Sequence, residues 1–313
     1  MTARAEAMAR GGGGVMTPGL ARRALSGRAL PVAIICLAIV AVWYVAAVLL
    51  NGPFQRDMDR RREVTRTPVE FIAATLSQPK PTLPAPHQVV IDTYRTTVLA
   101  NPAKPSSLLF HAWVTLSSTL AGFISGTFLG ILLAIGIVHL RSLEKSLMPW
   151  IISSQTIPIL AIAPMVIVVL ASIGITGLMP KAIISTYLSF FPVTVGMVKG
   201  LRSPEPIHLD LARTYNASPW QVFWKLRVPA SVPFLFTSMK VAIAASLVGA
   251  IVAELPTGAV AGIGAKLLIG AYYSQSIQMW SALVVGSIMA GLLVAAVGLI
   301  QRLVTRHMGA RPA

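Results

Sequence analysis

The sequence has little charge, few acidic residues and almost no cysteine. Only 12% of its 313 residues are charged, whereas a soluble domain has roughly 25%. Lys and Arg number 26 against 10 Asp and Glu, and 55% of the residues are hydrophobic. The single cysteine, Cys36, excludes an intramolecular disulfide and leaves a metal ion without a second thiol ligand. The composition therefore indicates a protein whose solvent is the lipid bilayer.

Motifs for catalysis are also missing. The five histidines are scattered, with no pair at i and i+4 and no carboxylate cluster beside them. No Gly-x-x-x-x-Gly-Lys-Ser/Thr loop occurs, so the chain lacks the usual ATP site. The net charge of +16 would indicate a nucleic-acid partner in a soluble protein, but here the basic residues flank apolar runs. We expect no catalytic residue, no cofactor or metal ion bound by this chain, and no nucleic-acid partner.

Long apolar runs are what the chain has instead. A helix needs about 20 apolar residues to cross roughly 30 Å of hydrocarbon. Runs of that order predict an all-α integral membrane protein with about six transmembrane helices, at 31–50, 112–138, 150–173, 182–198, 234–252 and 279–300. Pro158 and Pro164 should kink the third span and keep it buried in protein. Kinked helices often line pathways, although prolines that only shape the packing are an equal alternative.

The Lys and Arg residues beside the spans predict the orientation. They precede the first span, follow the second and fourth, and end the chain, which places both termini in the cytoplasm. The arginine-rich segment at 56–66 is the exception, because it falls on the other side. The predicted organisation is a disordered basic cytoplasmic tail (1–29), a transmembrane anchor (30–50), an extracytoplasmic loop (51–108), a core of five transmembrane helices (109–303) and a cytoplasmic tail (304–313).

The most informative segment is polar and lies between two apolar runs, at 203–229. Ser203, Pro204 and Glu205 predict the start of a first helix as its cap, first-turn proline and first-turn acid. Asn216 predicts the end of that helix in the left-handed conformation.

A second helix should follow at once. Ser218 is its predicted N-cap, Pro219 its first residue and Gln221 its capping-box partner, and we expect Pro229 to end it. The segment is thus predicted to be a cytoplasmic helix-turn-helix, a kind of hairpin with which a membrane protein docks a partner. A capped hairpin that only stabilises a loop is the alternative.

This hairpin resembles the EAA motif of bacterial ABC importer permeases, in which Glu-Ala-Ala is followed after three residues by Gly and later by Ile-x-Leu-Pro. The matching positions are Asp210, Leu211, Ala212, Asn216, Leu226 and Pro229, with Asp for Glu, Leu for the first Ala and Asn for Gly. The surrounding ASPWQVFWKLRVPASVP is similar to the branch that serves sulfonate, taurine and nitrate importers. The resemblance extends more loosely over about 83–303.

The resemblance implies a type I importer permease in the bacterial cytoplasmic (inner) membrane. Its expected partners are two cytoplasmic ABC ATPase subunits that carry ATP and Mg, an extracytoplasmic substrate-binding protein, a second copy of the chain and membrane lipid. The six motif residues would couple the hairpin to the ATPase. The substrate would be a small polar solute, either a sulfonate, taurine or nitrate, or a neutral pyrimidine-type heterocycle.

Four residues are candidates for contact with the solute. Gln155, Thr156 and Pro158 lie at the predicted kink, and Glu254 ends the fifth span at a place resembling the family's Ala-Glu before a Gly-x-Gly turn. Alternatively, Glu254 caps a short helix or pairs with Lys266, and the polar side chains at the kink join helices. Two other classes stay open. They are a secondary transporter, which needs coupling-ion ligands near the midplane, and a membrane assembly scaffold with a docking hairpin.

Overall fold

The computed structural model of the protein describes residues 29–256 and 261–308. Every regular element in these residues is a helix, which confirms the all-α prediction. Residues 1–28, nearly all of the predicted N-terminal tail, and 309–313, half of the predicted C-terminal tail, lie outside the described part. The chain forms two compact units, one up to Gln78 and one from Pro79 onward. Each unit is described by itself.

The first unit consists of one long and one short helix. Helix α1 spans Ala29–Arg61 and continues well beyond Leu50, where the predicted anchor ends. After Leu50 the helix carries three Arg and two Asp residues, and such a charged segment suits a helix end outside the bilayer. Helix α2 spans Pro68–Leu76 and begins with a capping box between Thr67 and Glu70.

The second unit contains the other helices. They are α3 Pro86–Tyr94, continued by a π-helical turn Arg95–Leu99, then α4 Leu108–His139, α5 Arg141–Ser154, α6 Ile159–Ser172, α7 Leu178–Leu201, α8 Pro206–Thr214, α9 Pro219–Val222, α10 Val228–Glu254, α11 Ile263–Tyr272 and α12 Ser276–His307. A π-helical turn Phe223–Arg227 joins α9 to α10, so that one helix of 36 residues runs from Pro219 to Glu254.

The prediction that Pro229 ends the second hairpin helix is therefore wrong. Proline lacks an N–H and its ring clashes with the carbonyl four residues earlier in a regular α-helix. The π-helical turn before it avoids this conflict, because its bonds reach back five residues, as from the Val228 N–H to the Phe223 carbonyl. The helix widens for one turn and continues.

The first hairpin helix also begins later than predicted. Pro206, rather than Pro204, is its first residue, and Glu205 is its N-cap with extended backbone (φ −63°, ψ 148°). The residue before a proline is pushed out of the helical region. Glu205 precedes Pro206, so it cannot lie in the first turn.

The predicted third span, 150–173, is two helices rather than one kinked helix. Helices α5 and α6 meet at an angle of 99°. Pro158 has extended backbone and is the N-cap of α6. A proline also disfavours helical backbone at the residue before it, here Ile157, so α5 does not continue into α6. Pro164 lies inside α6 without breaking it.

Close packing of small residues sets the direction of the helices. A Cβ atom at Gly122 would meet Ser185, one at Gly126 would meet Ser189, and one at Gly130 would meet Val193. Later positions in α4 contact later positions in α7, so the two helices run in the same direction. The intervening pair α5–α6 must then return the chain to its starting side, and it counts as one crossing.

Helix α10 runs in the opposite direction to both, as its contacts show. Ser246 donates a hydrogen bond to the Thr119 carbonyl of α4 (2.8 Å), whereas Glu254 reaches Thr115. Five helices in the described chain are long and apolar enough to cross a membrane, or six with the broken pair as one span. This agrees with the predicted number.

Candidate functional site

The turn of the hairpin has the geometry that the sequence predicts. Asn216 has a φ of 51°, the left-handed conformation. The Ala217 N–H donates to the Ala212 carbonyl (3.0 Å), which closes α8 with the bond pattern of a glycine-type helix end. Ser218 and Gln221 form a reciprocal capping box with hydrogen bonds of 2.9 and 3.3 Å. The chain therefore reverses within a few residues.

The residues predicted to couple to an ATPase fall into two groups. Asp210, Leu211, Ala212 and Asn216 lie together at the end of α8, where Ala212 is half-buried and the other three are exposed. Asp210 forms an exposed ion pair of 2.9 Å with Arg213. Leu226 and Pro229 are half-buried at the base of the hairpin, in the π-helical turn and the first turn of α10.

The hairpin also has an apolar surface that the sequence prediction missed. Ile207, Leu211 and Tyr215 recur every four residues, and they are 68%, 53% and 79% exposed. Trp220 and Trp224 extend this surface along the second helix. We call these five residues the hairpin face. The four-residue spacing was a sufficient sequence signal for its first half.

A buried aromatic residue fixes the hairpin to the membrane helices. Phe223 is buried and packs with Ile151 of α5 and with Met197 and Leu201 of α7. Its ring also meets the His139 ring edge-on, with 4.9 Å between centroids. Trp220 in α9 and Trp224 in the π-helical turn flank Phe223 and are exposed, so this part of the hairpin face is attached directly to the core.

An ion pair between α5 and the segment after α7 supports the start of the hairpin. Arg202, directly after α7, donates hydrogen bonds of 2.8 Å from both terminal nitrogens to the two oxygens of Glu144 in α5. These bonds raise the pKa of Arg202 above its usual range. Two parallel bonds of this kind hold the end of α7 in a defined orientation.

A buried polar centre lies at the other end of the 36-residue helix. Glu254 has no exposed surface, and its Oε1 atom lies 3.4 Å from the Lys181 Nζ atom of α7. Thr115 of α4 donates to it at 3.0 Å, and the Gly264 N–H in the first turn of α11 donates to its Oε2 atom at 2.9 Å. Glu254 thus caps a short helix, as one alternative had it, but its basic partner is Lys181 and not Lys266.

Two glycines and a histidine complete this centre. Gly262 has a φ of 131°, and a Cβ atom there would fall 2.2 Å from the Glu254 Cδ atom. The Gly262 N–H donates to His111 Nδ1 (3.0 Å), so the other ring nitrogen carries the proton that is donated to the Pro105 carbonyl (2.8 Å). Only glycine fits where the chain passes this close to the carboxylate. Lys181 was not among the predicted site residues. The sequence signal that could have found it is a single cation at the start of an apolar span.

The other three pathway candidates lie together at the break between α5 and α6. Gln155 is the C-cap of α5, Thr156 donates to the Ser153 carbonyl (2.7 Å), and Pro158 begins the next helix. Thr156 and Pro158 are exposed. Glu254 is instead enclosed in the buried polar centre, so the structure does not bring all four candidates to one surface.

The break lies beside the middle of α7, a helix that is long and apolar enough to cross a membrane. Tyr187 of α7 donates a hydrogen bond to the Ser154 carbonyl at the end of α5. Tyr187 is nine residues into α7 from Leu178, about 13 Å along the helix axis. Irregular backbone at this depth occurs only where it contacts protein or lines a water-filled cavity.

Several long apolar helices, a polar hairpin at one end and an unwound segment beside the middle of a span are typical of a membrane permease. The chain belongs to the family of binding-protein-dependent transport system inner membrane components, which matches residues 126–310. It is an integral membrane protein and the permease component of an ABC importer. Members of this family generally work with an ATPase and a substrate-binding protein. The match therefore favours the importer over the secondary transporter and the scaffold.

Several curated relatives share most of their length with this chain. It is 32% identical over 196 residues to the formylaminopyrimidine transport permease of Halalkalibacterium halodurans, which covers 62% of this chain and 73% of the relative. It is 28% identical over 228 residues to the riboflavin transport system permease of Chloroflexus aurantiacus (70% and 83%). A putative aliphatic sulfonates permease of Bacillus subtilis is 23% identical over 220 residues (70% and 76%).

Proposed function

We propose that this chain carries a small polar solute into the cytoplasm, driven by a separate ATPase that binds the hairpin at 203–229. The observation that supports this most strongly is the hairpin face. Ile207, Leu211 and Tyr215 leave a large apolar surface exposed on a helix that has no buried residue. Exposed apolar surface of this kind, rimmed by the charged Asp210 and Arg213, is typical of a protein-binding site.

The hairpin face is suited to transmit force to the membrane helices. In the proposed complex, Leu211 and Tyr215 insert into an apolar groove of the ATPase, while Asp210 makes a polar contact at its edge. Phe223 ties the hairpin to α5 and α7. When two ATPase subunits close on ATP, two hairpins move together and the attached spans rock, so that the pathway alternates between outward and inward access. ATP and Mg would bind to the ATPase subunits and not to this chain.

We propose that two copies of the chain form the pathway. The break at Gln155–Pro158 is irregular backbone at membrane depth, and Thr156 and Pro158 are exposed in the single chain. Lipid does not satisfy such backbone, whereas water or a second protein surface does. A two-fold axis beside this break would supply both, with Gln155 and Thr156 as polar groups along the pathway.

The charge distribution supports an orientation in the bacterial inner membrane. The hairpin with Arg213, Lys225 and Arg227 lies on the basic side of the spans, which is the cytoplasmic side by the positive-inside rule. Both termini would then be cytoplasmic. The buried polar centre would lie at the outer end, toward the binding protein.

For the substrate, we propose a pyrimidine-type or related nitrogen heterocycle as the first class to test. The names of two relatives, at 32% and 28% identity, refer to a formylaminopyrimidine and to riboflavin. Sulfonates are the second class, because a relative at 23% identity is named for them, and taurine and nitrate follow from the sequence resemblance.

Capture of the ATPase tests the docking proposal. The tagged chain is purified from its native membranes in mild detergent, and the ATPase that accompanies it is quantified for the wild type, Leu211→Arg and Tyr215→Arg. We expect both variants to lose more than about tenfold in captured ATPase, since each puts a charge into an apolar contact. Val98→Arg is the control, because Val98 is equally apolar and exposed but lies outside the hairpin. Undiminished capture by both hairpin variants would reject the proposal.

A further inference from the structure

The first unit has an arginine-lined cavity that transport does not explain. We propose that this cavity binds the phosphate of an anionic phospholipid headgroup. The cavity has a volume of about 470 Å³ and lies between the end of α1 and the start of α2. Its lining includes Arg56, Arg60 and Arg66 with Asp59, Phe71 and Ile72. The size is ordinary for a small-molecule site.

The charges in the cavity leave two arginines for a ligand. Asp59 is buried, and its Oδ1 atom accepts hydrogen bonds from Gln55 (2.9 Å) and Arg66 (3.0 Å). This carboxylate therefore neutralises Arg66. Among the described residues, neither Arg56 nor Arg60 forms a salt bridge. The cavity keeps two positive charges, and paired arginines are well shaped for the oxygens of a phosphate.

The cavity wall gives Arg56 a defined position. The Arg56 guanidinium group lies over the Phe71 ring, 5.7 Å from its centroid. Buried amides hold the two helices together, since Gln78 donates to Gln55 Oε1 (2.9 Å) and Asn51 donates to the Thr75 carbonyl (3.3 Å). An anion entering here meets the Arg56 guanidinium group already held over the ring, which lowers the entropy cost of binding.

The depth of the cavity selects a lipid over other anions. Helix α1 is apolar and exposed up to Leu50 and Phe54. Arg56 follows Leu50 by six residues, about 9 Å of helix, which is where the headgroup layer lies beyond roughly 30 Å of hydrocarbon.

Helix α2 supports the same depth. Val69 and Ile72 are apolar and exposed on it, as in a helix that lies at the membrane surface. Phospholipid phosphates are the anions concentrated in that layer, and this cavity opens among them. The site also accounts for the arginine-rich segment that breaks the positive-inside pattern.

Competition between lipids tests the proposal. The whole transporter is reconstituted in nanodiscs with equal amounts of phosphatidylglycerol and phosphatidylcholine. Native mass spectrometry then counts the lipids that stay bound to the protein when it is released from the nanodisc. We expect the wild type to retain phosphatidylglycerol preferentially. Each arginine near the surface should contribute about fivefold to this preference, so Arg56→Gln with Arg60→Gln should lower it by more than tenfold.

A matched control distinguishes binding in the cavity from a general effect of positive charge at this end of the helix. Arg61→Gln with Arg62→Gln removes the same charge from the same helix end, but these residues are not part of the cavity lining. The proposal is supported when only the Arg56 and Arg60 pair loses the preference. Equal loss in both double variants, or no preference in the wild type, would overturn it. Displacement of the lipid by millimolar ethanesulfonate or inorganic phosphate would assign the cavity to a soluble anion instead.

Capture of the ATPase by the same preparations remains a separate readout, so this proposal and the docking proposal fail independently.

Discussion

At the scale of single residues, the Lys181–Glu254 ion pair is the most deeply buried salt bridge in the described chain. Both side chains are buried, and the pair joins α7 to the end of α10. Removing two charges from water costs several kcal/mol, which only close pairing and further hydrogen bonds offset. Here Thr115 and Gly264 supply those further bonds. The arrangement depends on all of its members being present.

Removal of one partner should therefore be severe. We predict that Lys181→Met destabilises the protein by about 3 kcal/mol, because Glu254 is left buried without its cation. Adding Glu254→Gln to the same chain should restore most of the loss, since an amide still accepts from Thr115 and Gly264. Thermal unfolding of the purified protein in detergent measures both. Equal stability of the single variant and the wild type would contradict this account of the pair.

Asn216 gives a second prediction at this scale. Its φ of 51° is open to glycine without strain and is poorly suited to a β-branched residue. Asn216→Gly should be tolerated, with normal ATPase capture, whereas Asn216→Val should cost about 1–2 kcal/mol. Thermal unfolding and capture are measured on the same preparations. A failure of the glycine variant would show that the asparagine side chain itself is required.

At the scale of helices, composition and capping residues predict where helices exist better than where they end. The apolar runs, the Ser218 capping box and the Asn216 turn were all readable from the sequence. Three proline effects were not: the late start at Pro206, the break at Pro158 and the passage through Pro229. Each depends on the residues beside the proline. Pro206 and Pro158 restrict the backbone of the residue before them, and a π-helical turn before Pro229 lets the helix continue through it.

The buried polar centre was only half predictable for a different reason. Glu254 stands out in a sequence with few acids, but its partner Lys181 is 73 residues away. Long-range pairing follows from the way that α4, α7 and α10 pack, and local pattern does not encode it. The hairpin face could be predicted because its residues follow one another at helical spacing.

The glycines between α4 and α7 give a prediction at this scale. A Cβ atom at Gly122 would lie 2.2 Å from the Ser185 Cβ atom and 2.9 Å from the Ala182 carbonyl oxygen. The helices would have to separate, so Gly122→Ala should destabilise the protein by about 1–3 kcal/mol. Gly291 is the control, because a Cβ atom there meets nothing within 4 Å. Gly291→Ala should leave the thermal unfolding temperature unchanged or raise it slightly.

At the scale of the whole molecule, the proposed pathway predicts where water reaches the membrane helices. We expect Thr156→Cys to react in intact membranes with a charged, water-soluble thiol reagent, because the break faces water in the proposed pathway. Cys36 provides an internal reference, since it is exposed within an apolar run that is suited to face lipid. Labelling at Thr156→Cys should exceed labelling at Cys36 by at least about tenfold. Equal rates would place the break outside the pathway.

The 36-residue helix from Pro219 to Glu254 has a mechanical consequence. At 1.5 Å per residue it is about 54 Å long, with the hairpin face at one end and the buried ion pair at the other. A stiff rod of this length acts as a lever, so a tilt of about 10° at the hairpin sweeps the far tip through roughly 9 Å. Such an arc is more than twice the 3.4 Å between the charged atoms of the ion pair. In the proposed transport cycle, a push on the hairpin would therefore move the buried polar centre at the far end of the same helix.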